Sequence, residues 1–489
     1  MSSRELVDGL RRRVGGETPV GPGGWFTPGS RRVAMAYPSP YRAGMSSLGY
    51  QRILALLREG GIAAERVFLP DDPEAWRRSG TRPVSCETYS PLGSFPLIAF
   101  SLAYELEIAG LIEILDLAGI PPLAADRGPG HPRILLGGPI SMANPEAAGP
   151  FVDAMLLGEG EETALAGVSA FFEAESGEAW LNAIALLPGG WVPSRGGPVP
   201  PIARANDDNL PARSAILAPD AELSSMFLLE GERGCHRQCT FCVMRRSTNG
   251  GMRLVEASRI LDLIPPEARK VGLVGAAISD HPRLPELLDT LVESGRQIGI
   301  SSLRADRVKV RPQIARRLRE SGARTLTVAS DGASERLRKG ISKGTTEEHL
   351  LACAEIAASS GFETFKVYMM VGLPGETDED LDELIRFSLE LAAASRGTRV
   401  ALGVAPFVPK RHTPLDGAPF AGIAVVDQRL ARLAKGLRGR VEVRPTSARW
   451  AWVEYILAQG DARTGEAVYR AWKAGGRFAN YKAAFSEIG

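Results

Sequence analysis

Three cysteines fall close together in the stretch Gly234-Cys235-His236-Arg237-Gln238-Cys239-Thr240-Phe241-Cys242, with the spacing Cys-x3-Cys-x2-Cys. Thiolates are the usual protein ligands of iron–sulfur clusters, and one compact loop can reach three corners of a cubane. The fourth iron of such a [4Fe-4S] cluster then has no cysteine. An open position suits a catalytic metal, whereas a structural site is normally closed by protein ligands. The competing reading is a zinc site completed by His236 or a distant cysteine, but zinc ligands usually come as two separated pairs. The chain has five cysteines, the others being Cys86 and Cys353. An odd number with three clustered favours a metal site in a reducing compartment over disulfides.

Polar and glycine-containing segments follow the loop at intervals: Leu273-Val274-Gly275-Ala276-Ala277, Ser301-Ser302-Leu303-Arg304-Ala305-Asp306, Ser330-Asp331-Gly332, Lys366, and Val371-Gly372-Leu373-Pro374-Gly375-Glu376-Thr377. Any one such Ser, Arg or Lys is more often a surface residue or a helix cap. Their order carries more weight, because all but Lys366, which falls inside its strand, lie at the end of a predicted strand.

Those strands are expected at 226–229, 271–274, 298–301, 325–328, 365–370 and 400–404, with helical apolar spacing at 284–292, 314–320, 349–358 and 381–393. Six βα units are too few for a closed eight-unit barrel and suit a partial TIM-type (βα)6 barrel, whose mouth gathers the strand carboxyl ends. Upstream, short apolar runs at 33–37, 67–69, 98–100, 134–136 and 154–157 alternate with helical patterns such as 48–58 and 106–117. That alternation predicts a Rossmann-like parallel sheet. Its glycine-rich strand ends, Gly137-Gly138-Pro139 and Gly158-Glu159-Gly160-Glu161, either make tight turns or border a ligand crevice. The expected organisation is an α/β chain with an N-terminal extension at 1–30, the Rossmann-like domain at 31–185, a Pro/Gly-rich linker at 186–223, the barrel domain at 224–425 and a small helical C-terminal domain at 426–489.

The chain of 489 residues carries 58 basic and 57 acidic side chains, so a general electrostatic grip on nucleic acid is not indicated. Its apolar and charged fractions, 44% and 24%, are those of a globular protein. No apolar run approaches the roughly 18 residues of a spanning helix. The first 25 residues lack the apolar core of a secretory signal, so a cytoplasmic location is expected.

The cysteine loop resembles the signature of the radical S-adenosylmethionine (SAM) superfamily. The resemblance implies an oxygen-sensitive [4Fe-4S] cluster on Cys235, Cys239 and Cys242, whose open iron chelates the amino and carboxylate groups of SAM. An electron passed through the cluster then splits the sulfonium, and a 5′-deoxyadenosyl radical abstracts hydrogen from a substrate. It also implies an external electron donor such as flavodoxin or ferredoxin. By position, the resemblance assigns SAM contacts to Phe241, Gly275, Ala276, Ser302, Arg304, Asp331 and Lys366, although Gly275-Ala276-Ala277 departs from the common Gly-Gly-Glu form. No catalytic residue is singled out.

Ala405-Pro406-Phe407-Val408-Pro409-Lys410-Arg411-His412-Thr413-Pro414 is similar to a Phe-x-Pro-Lys-x-x-Thr-Pro segment of radical SAM proteins with an N-terminal cobalamin-binding-like domain. That subgroup implies bound cobalamin and methyl transfer. The Asp-x-His-x-x-Gly cobalt-ligand motif is missing, however, and Ser39-Pro40-Tyr41-Arg42-Ala43-Gly44 stands at the corresponding turn. Either cobalamin binds without a histidine on cobalt, or the domain has kept the fold and lost the cofactor. Two alternatives are a methylthiotransferase-like enzyme modifying tRNA or protein, for which only Cys86 is available upstream, and a non-enzymatic iron–sulfur electron carrier or sensor.

Overall fold

The computed structural model describes residues 1–244 and 251–488. The chain divides into two compact units, Met1–Phe227 together with Ile456–Gly489, and Leu228–Tyr455. The first contains strands β1 (Thr18–Pro19), β2 (Arg32–Tyr37), β3 (Ala63–Phe68), β4 (Leu97–Ser101), β5 (Arg133–Gly137), β6 (Ala154–Leu156), β7 (Gly190–Trp191) and β8 (Ile216–Leu217). Six of these form one sheet in the order β3-β2-β4-β5-β6-β7. Pairing is parallel throughout except for the edge strand β7. Val33, Ala34, Met35 and Ala36 of β2 are all buried, as expected of a strand covered on both faces. The strand order reverses between β2 and β4, which creates the crevice at which such sheets bind ligands.

Residues 186–223, expected as an extended connector, are built into this unit. β8 pairs antiparallel with β1, and the buried Gln51 carboxamide accepts from the Ala215 and Ile216 amides at 2.9 and 3.0 Å. Proline-rich composition disfavours helix there, but the backbone amides still need acceptors once buried, and a distant glutamine supplies them. The segment 426–489, expected as a single tail domain, is divided. Helix Ile423–Gly436 and strand β17 (Glu442–Pro445) belong to the second unit, whereas helices Ala462–Lys473 and Phe478–Ser486 belong to the first. Trp472 Nε1 donates to Glu113 at 2.6 Å, and Asn144 donates to the Leu457 and Gly460 carbonyls. Gly465 permits the approach, since a Cβ there would lie 2.0 Å from the Ala147 carbonyl oxygen.

The second unit carries the remainder of β9 (Met226–Glu230), then β10 (Glu232–Gly234), β11 (Met252–Leu254), β12 (Lys270–Val274), β13 (Gln297–Gly299), β14 (Thr325–Asp331), β15 (Thr364–Val371), β16 (Arg399–Pro406) and β17. One sheet runs β13-β12-β9 and a second, all parallel, runs β14-β15-β16-β17. A parallel bridge from Leu303 to Val328 joins them into a partial barrel. Helices Leu284–Glu293, Gln313–Glu320, Glu347–Ser359 and Asp378–Ala394 alternate with the strands. On β15, Phe365, Val367, Met369 and Val371 are buried, while Lys366 and Tyr368 alternate onto the other, more open face.

Beneath β3 a buried cluster of charge ties the N-terminal segment to the sheet. Arg66 contacts Glu17 and Glu87, each at 2.6 Å, and Arg58 also reaches Glu87 at 2.6 Å. Burial works to raise the Glu87 carboxyl, but Arg66 and Arg58 outweigh it and hold it below the ordinary range. Breaking a buried ion pair on one side leaves the other charge stranded, which costs ~3–5 kcal/mol. Glu87→Ala is therefore expected to destabilise the first unit by about that amount in chemical denaturation. A loss below about 1 kcal/mol, the size expected of an exposed pair, would contradict this arrangement.

Candidate functional site

Cys235 follows β10 directly. Gly234 turns the chain there with φ 103° while buried, a conformation that disfavours any side chain. The loop is then pinned from two sides: the Thr240 amide donates to the Ile341 carbonyl at 3.1 Å, and the Thr240 carbonyl accepts from the Leu415 amide at 3.3 Å. Within the loop the Cys242 amide donates to the Cys239 carbonyl at 3.2 Å. All three thiols are half-buried. Burial pushes the Cys239 and Cys242 thiols up, with Lys343 opposing the rise at Cys239 and a backbone hydrogen bond from Met244 opposing it at Cys242. Ligation to iron requires the thiolates, so loading the site releases protons.

His236 is turned toward other partners. Its Nδ1 lies 3.3 Å from Met252 Sδ and its Nε2 3.7 Å from Asp280. Among the described residues no three His, Cys, Asp or Glu side chains converge as a single ion would require. Three thiols on one loop fit the corners of a cluster with one position left open.

A knot of charge flanks the loop. Arg237 makes a two-pronged contact to Asp280, with Nη2 and Nε at 3.0 and 3.2 Å, and Arg307 contacts the same carboxylate. Burial works to raise the Asp280 carboxyl, and hydrogen bonds from Arg237 and Arg307 prevail and hold it low. Arg304 lies beside this group, 3.1 Å from Asp306 and 3.9 Å from Asp280, and its amide donates to Ser279 Oγ. Three guanidiniums thus face two carboxylates, an excess of positive charge suited to an anionic group.

Gly275 and Ala276 follow β12, and a Cβ at Gly275 would lie 2.3 Å from Glu232 Oε1. Asp331 ends β14 in a left-handed conformation, φ 63°, and pairs with Lys343, whose charge acts on Cys239. Ser302 precedes the bridging Leu303, and Phe241 is half-buried within the loop. Lys366 stands apart: its Nζ is 3.2 Å from Tyr368 Oη and 4.5 Å from that ring's centre. The Gly372–Thr377 motif is taken up by structure. Glu376 accepts from the Gly372 amide at 2.9 Å and pairs with Arg429, and Thr377 caps helix Asp378–Ala394. Sequence reasoning did not single out Glu232, Asp280 or Lys343, whose partners are distant in the chain. Only the position of Asp280, shortly after the predicted strand end at Val274, hinted at it.

In the first unit, the crevice between β2 and β4 is bordered by Ser39, Ala103 and Glu107. Glu107 accepts from Ser39 Oγ at 2.9 Å and from the Ala103 amide at 2.6 Å, and burial raises its carboxyl. Tyr37, at the end of β2, is pushed up to about 12 by burial and by Glu107. Tyr104 is 47% exposed on the loop after β4. No imidazole of this unit reaches the crevice. His131, its single histidine, accepts from the Gly128 amide just before β5 begins, at the amino end of the sheet. The residues fit a ligand resting on backbone, hydroxyl and aromatic surfaces, without a histidine ligand from this unit.

Comparison with known proteins adds the following. Residues 49–193 match the family model described as radical SAM proteins, N-terminal, and residues 231–388 match that of the radical SAM superfamily. An uncharacterized protein of Methanocaldococcus jannaschii is 28% identical over 405 residues, covering 80% of each chain. Among solved structures, the radical SAM methyltransferase TsrM of Kitasatospora setae, with cobalamin and a [4Fe-4S] cluster bound, aligns with a TM-score of 0.53 at 16% identity, covering 82% of this chain and 78% of that one. The cobalamin-dependent SAM radical enzyme OxsB, with aqua-cobalamin and SAM bound, aligns with a TM-score of 0.54 at 14% identity, covering 94% and 70%.

Anaerobically reconstituted protein is expected to hold about four irons per chain, the content of one cubane. Replacing Cys235, Cys239 and Cys242 together with Ala is expected to abolish the iron and its absorbance, while Cys353→Ala, at a buried thiol near Ala305, leaves both intact. Full iron content in the triple variant would overturn the assignment of the ligands.

Proposed function

Because this chain belongs to the radical SAM superfamily, we propose that its second unit holds a [4Fe-4S] cluster on Cys235, Cys239 and Cys242 and cleaves SAM reductively to begin radical chemistry on a substrate. The observation that carries this reading is a single loop of three half-buried thiols, pinned at Thr240 and set at the carboxyl ends of parallel strands. When bound, the cluster supplies the electron that breaks the sulfonium bond and so generates the hydrogen-abstracting radical. The chain's own residues bind and orient. Gly275 and Ala276, at the end of β12 where Gly275 admits the Glu232 carboxylate, are assigned to the amino-acid end of SAM, and Arg304, with the guanidinium excess around Asp280, suits the SAM carboxylate. Asp331, held by Lys343, Phe241 and Ser302 are assigned to the nucleoside side. Lys366, beside Tyr368 on the more open face of β15, is assigned to a cofactor or substrate group.

The first unit supports cobalamin-assisted methyl transfer as the reaction type. Its sheet order and its crevice suit a large flat cofactor, and the fold is shared with TsrM and OxsB, whose structures hold cobalamin. The methylthiotransferase alternative is weaker, because Cys86 is the single cysteine of this unit, buried with its thiol raised by burial, and cannot by itself hold a second cluster. No helix among the described residues is long and apolar enough to cross a membrane. The five cysteines are unpaired, which fits a reducing cytoplasm, where a flavodoxin or ferredoxin would deliver the electron.

Two measurements test this. SAM is expected to perturb the EPR signal of the reduced cluster, and reduction to release 5′-deoxyadenosine at least slowly without substrate. An unchanged spectrum at saturating SAM, with no SAM-derived product, would put the electron-carrier or sensor reading ahead. Hydroxocobalamin added anaerobically is expected to survive desalting and to give a cob(II)alamin spectrum without nitrogen superhyperfine splitting from a protein histidine. Such splitting would refute the ligand assignment, and failure to retain cobalamin would sink the methyl-transfer reading while leaving the cluster reading standing.

A further inference from the structure

We infer that Glu232 binds the α-ammonium group of SAM, an inference that rests on the function proposed above and names a residue outside the assigned contacts. Glu232 is the first residue of β10, three positions before Cys235, and is 1% exposed. Its Oε1 accepts from the Ala277 amide at 2.6 Å. Its Oε2 is buried and has no hydrogen-bond partner among the described residues. An ionised carboxylate offers about four acceptor sites, so one short bond leaves most of its capacity unmet. A buried acceptor left in that state is costly, and a charged one more so.

No cation of the chain offsets it among the described residues. The charged groups that act on Glu232 are Glu230 and Asp280, both acidic. Their own partners are committed, Arg233 to Glu230 and Arg237 with Arg307 to Asp280. Burial and these two neighbours raise the Glu232 carboxyl to about 7 against the opposing Ala277 hydrogen bond, and no side chain among the described residues supplies a compensating charge. What it would accept is a compact cation with several N–H donors, and a primary ammonium is the simplest group of that kind.

Geometry sets where that cation binds. The Glu232 carboxylate occupies the space beside Gly275, where any Cβ would displace it, and is fixed by the amide of Ala277. It therefore shares the strand end assigned to SAM through Gly275 and Ala276. Of the ligands that the proposed reaction requires, SAM carries a primary ammonium on the amino-acid end that the cluster region must receive. The acidic group that the Gly275-Ala276-Ala277 segment lacks is thus supplied from the strand leading into the cysteine loop.

The test uses cluster-loaded full-length protein and compares SAM with its analogue lacking the α-amino group, by equilibrium binding. Glu232→Gln is expected to weaken SAM by about ten- to a hundredfold, the size of a hydrogen bond to a charged group. The deaminated analogue is expected to bind both proteins equally, and iron content to be unchanged. Equal SAM affinity in wild type and variant would overturn the assignment, as would an equal loss for both ligands, which would mark a purely structural role through Ala277. Should Glu232→Gln fail to load its cluster, Glu232→Asp carries the test, with a smaller loss expected for SAM and none for the analogue; unchanged SAM affinity overturns it. Wild-type protein that loads a cluster and binds no SAM would instead sink the proposed function itself.

Discussion

The grip of Arg237 on Asp280 is the bond about which the thiol loop is organised. The loop makes few hydrogen bonds of its own, and a chain holding three potential metal ligands cannot rely on flexibility, because ligand geometry must be set before the metal arrives. A planar guanidinium meeting a carboxylate with two prongs fixes direction as well as distance. Asp280 sits beyond the end of β12, so this one contact ties the loop to the second strand of the barrel. Thr240, bonded to Ile341 on one side and Leu415 on the other, ties it to two later segments. Loss of either anchor would leave the thiols at the mercy of a loop ending near residues of very different elements.

The surroundings show how backbone strain is concentrated at this end of the barrel. Asp331, Ser342 and His412, all with side chains, adopt left-handed conformations at φ 63°, 55° and 64°. Such residues persist only where neighbouring structure over-determines them. At Asp331 the neighbour is Lys343, and at His412 the Asp416 carboxylate accepts from the backbone amide at 3.1 Å. Ser342 offers its carbonyl 3.8 Å from Cys239 Sγ. The same segments that pin the loop thus carry its strained positions, and the ion pairs near them hold the backbone in place.

The two units solve the problem of burying polar groups differently. In the second, uncompensated charge is left at the strand ends, as three guanidiniums around Asp280 and as the unpartnered oxygen of Glu232. In the first, the buried Arg58, Arg66, Glu17 and Glu87 balance one another and close off the edge strand. Balanced burial specifies a fold, whereas unbalanced burial leaves a place for a ligand's charge, which is why the SAM-binding reading falls on the second unit's strand ends.

Local pattern in the sequence determined the cysteine loop, the alternation of strands and helices and the absence of a histidine at the turn after β2. Each depends on residue types at short spacing, where periodicity and thiol chemistry act within a few residues. Strand positions at 33–37, 98–100, 271–274 and 365–370 were legible for that reason, with ends displaced by at most one residue. Only the tertiary structure decided that 186–223 is anchored by Gln51, that the last two helices join the first unit, and that Glu376 spends its carboxylate on Gly372 and Arg429. The partners of Glu232 and Asp280 were equally hidden. A buried acceptor is satisfied by whichever donor the fold brings within about 3 Å, and that donor lies tens of residues away along the chain, where no local pattern records it.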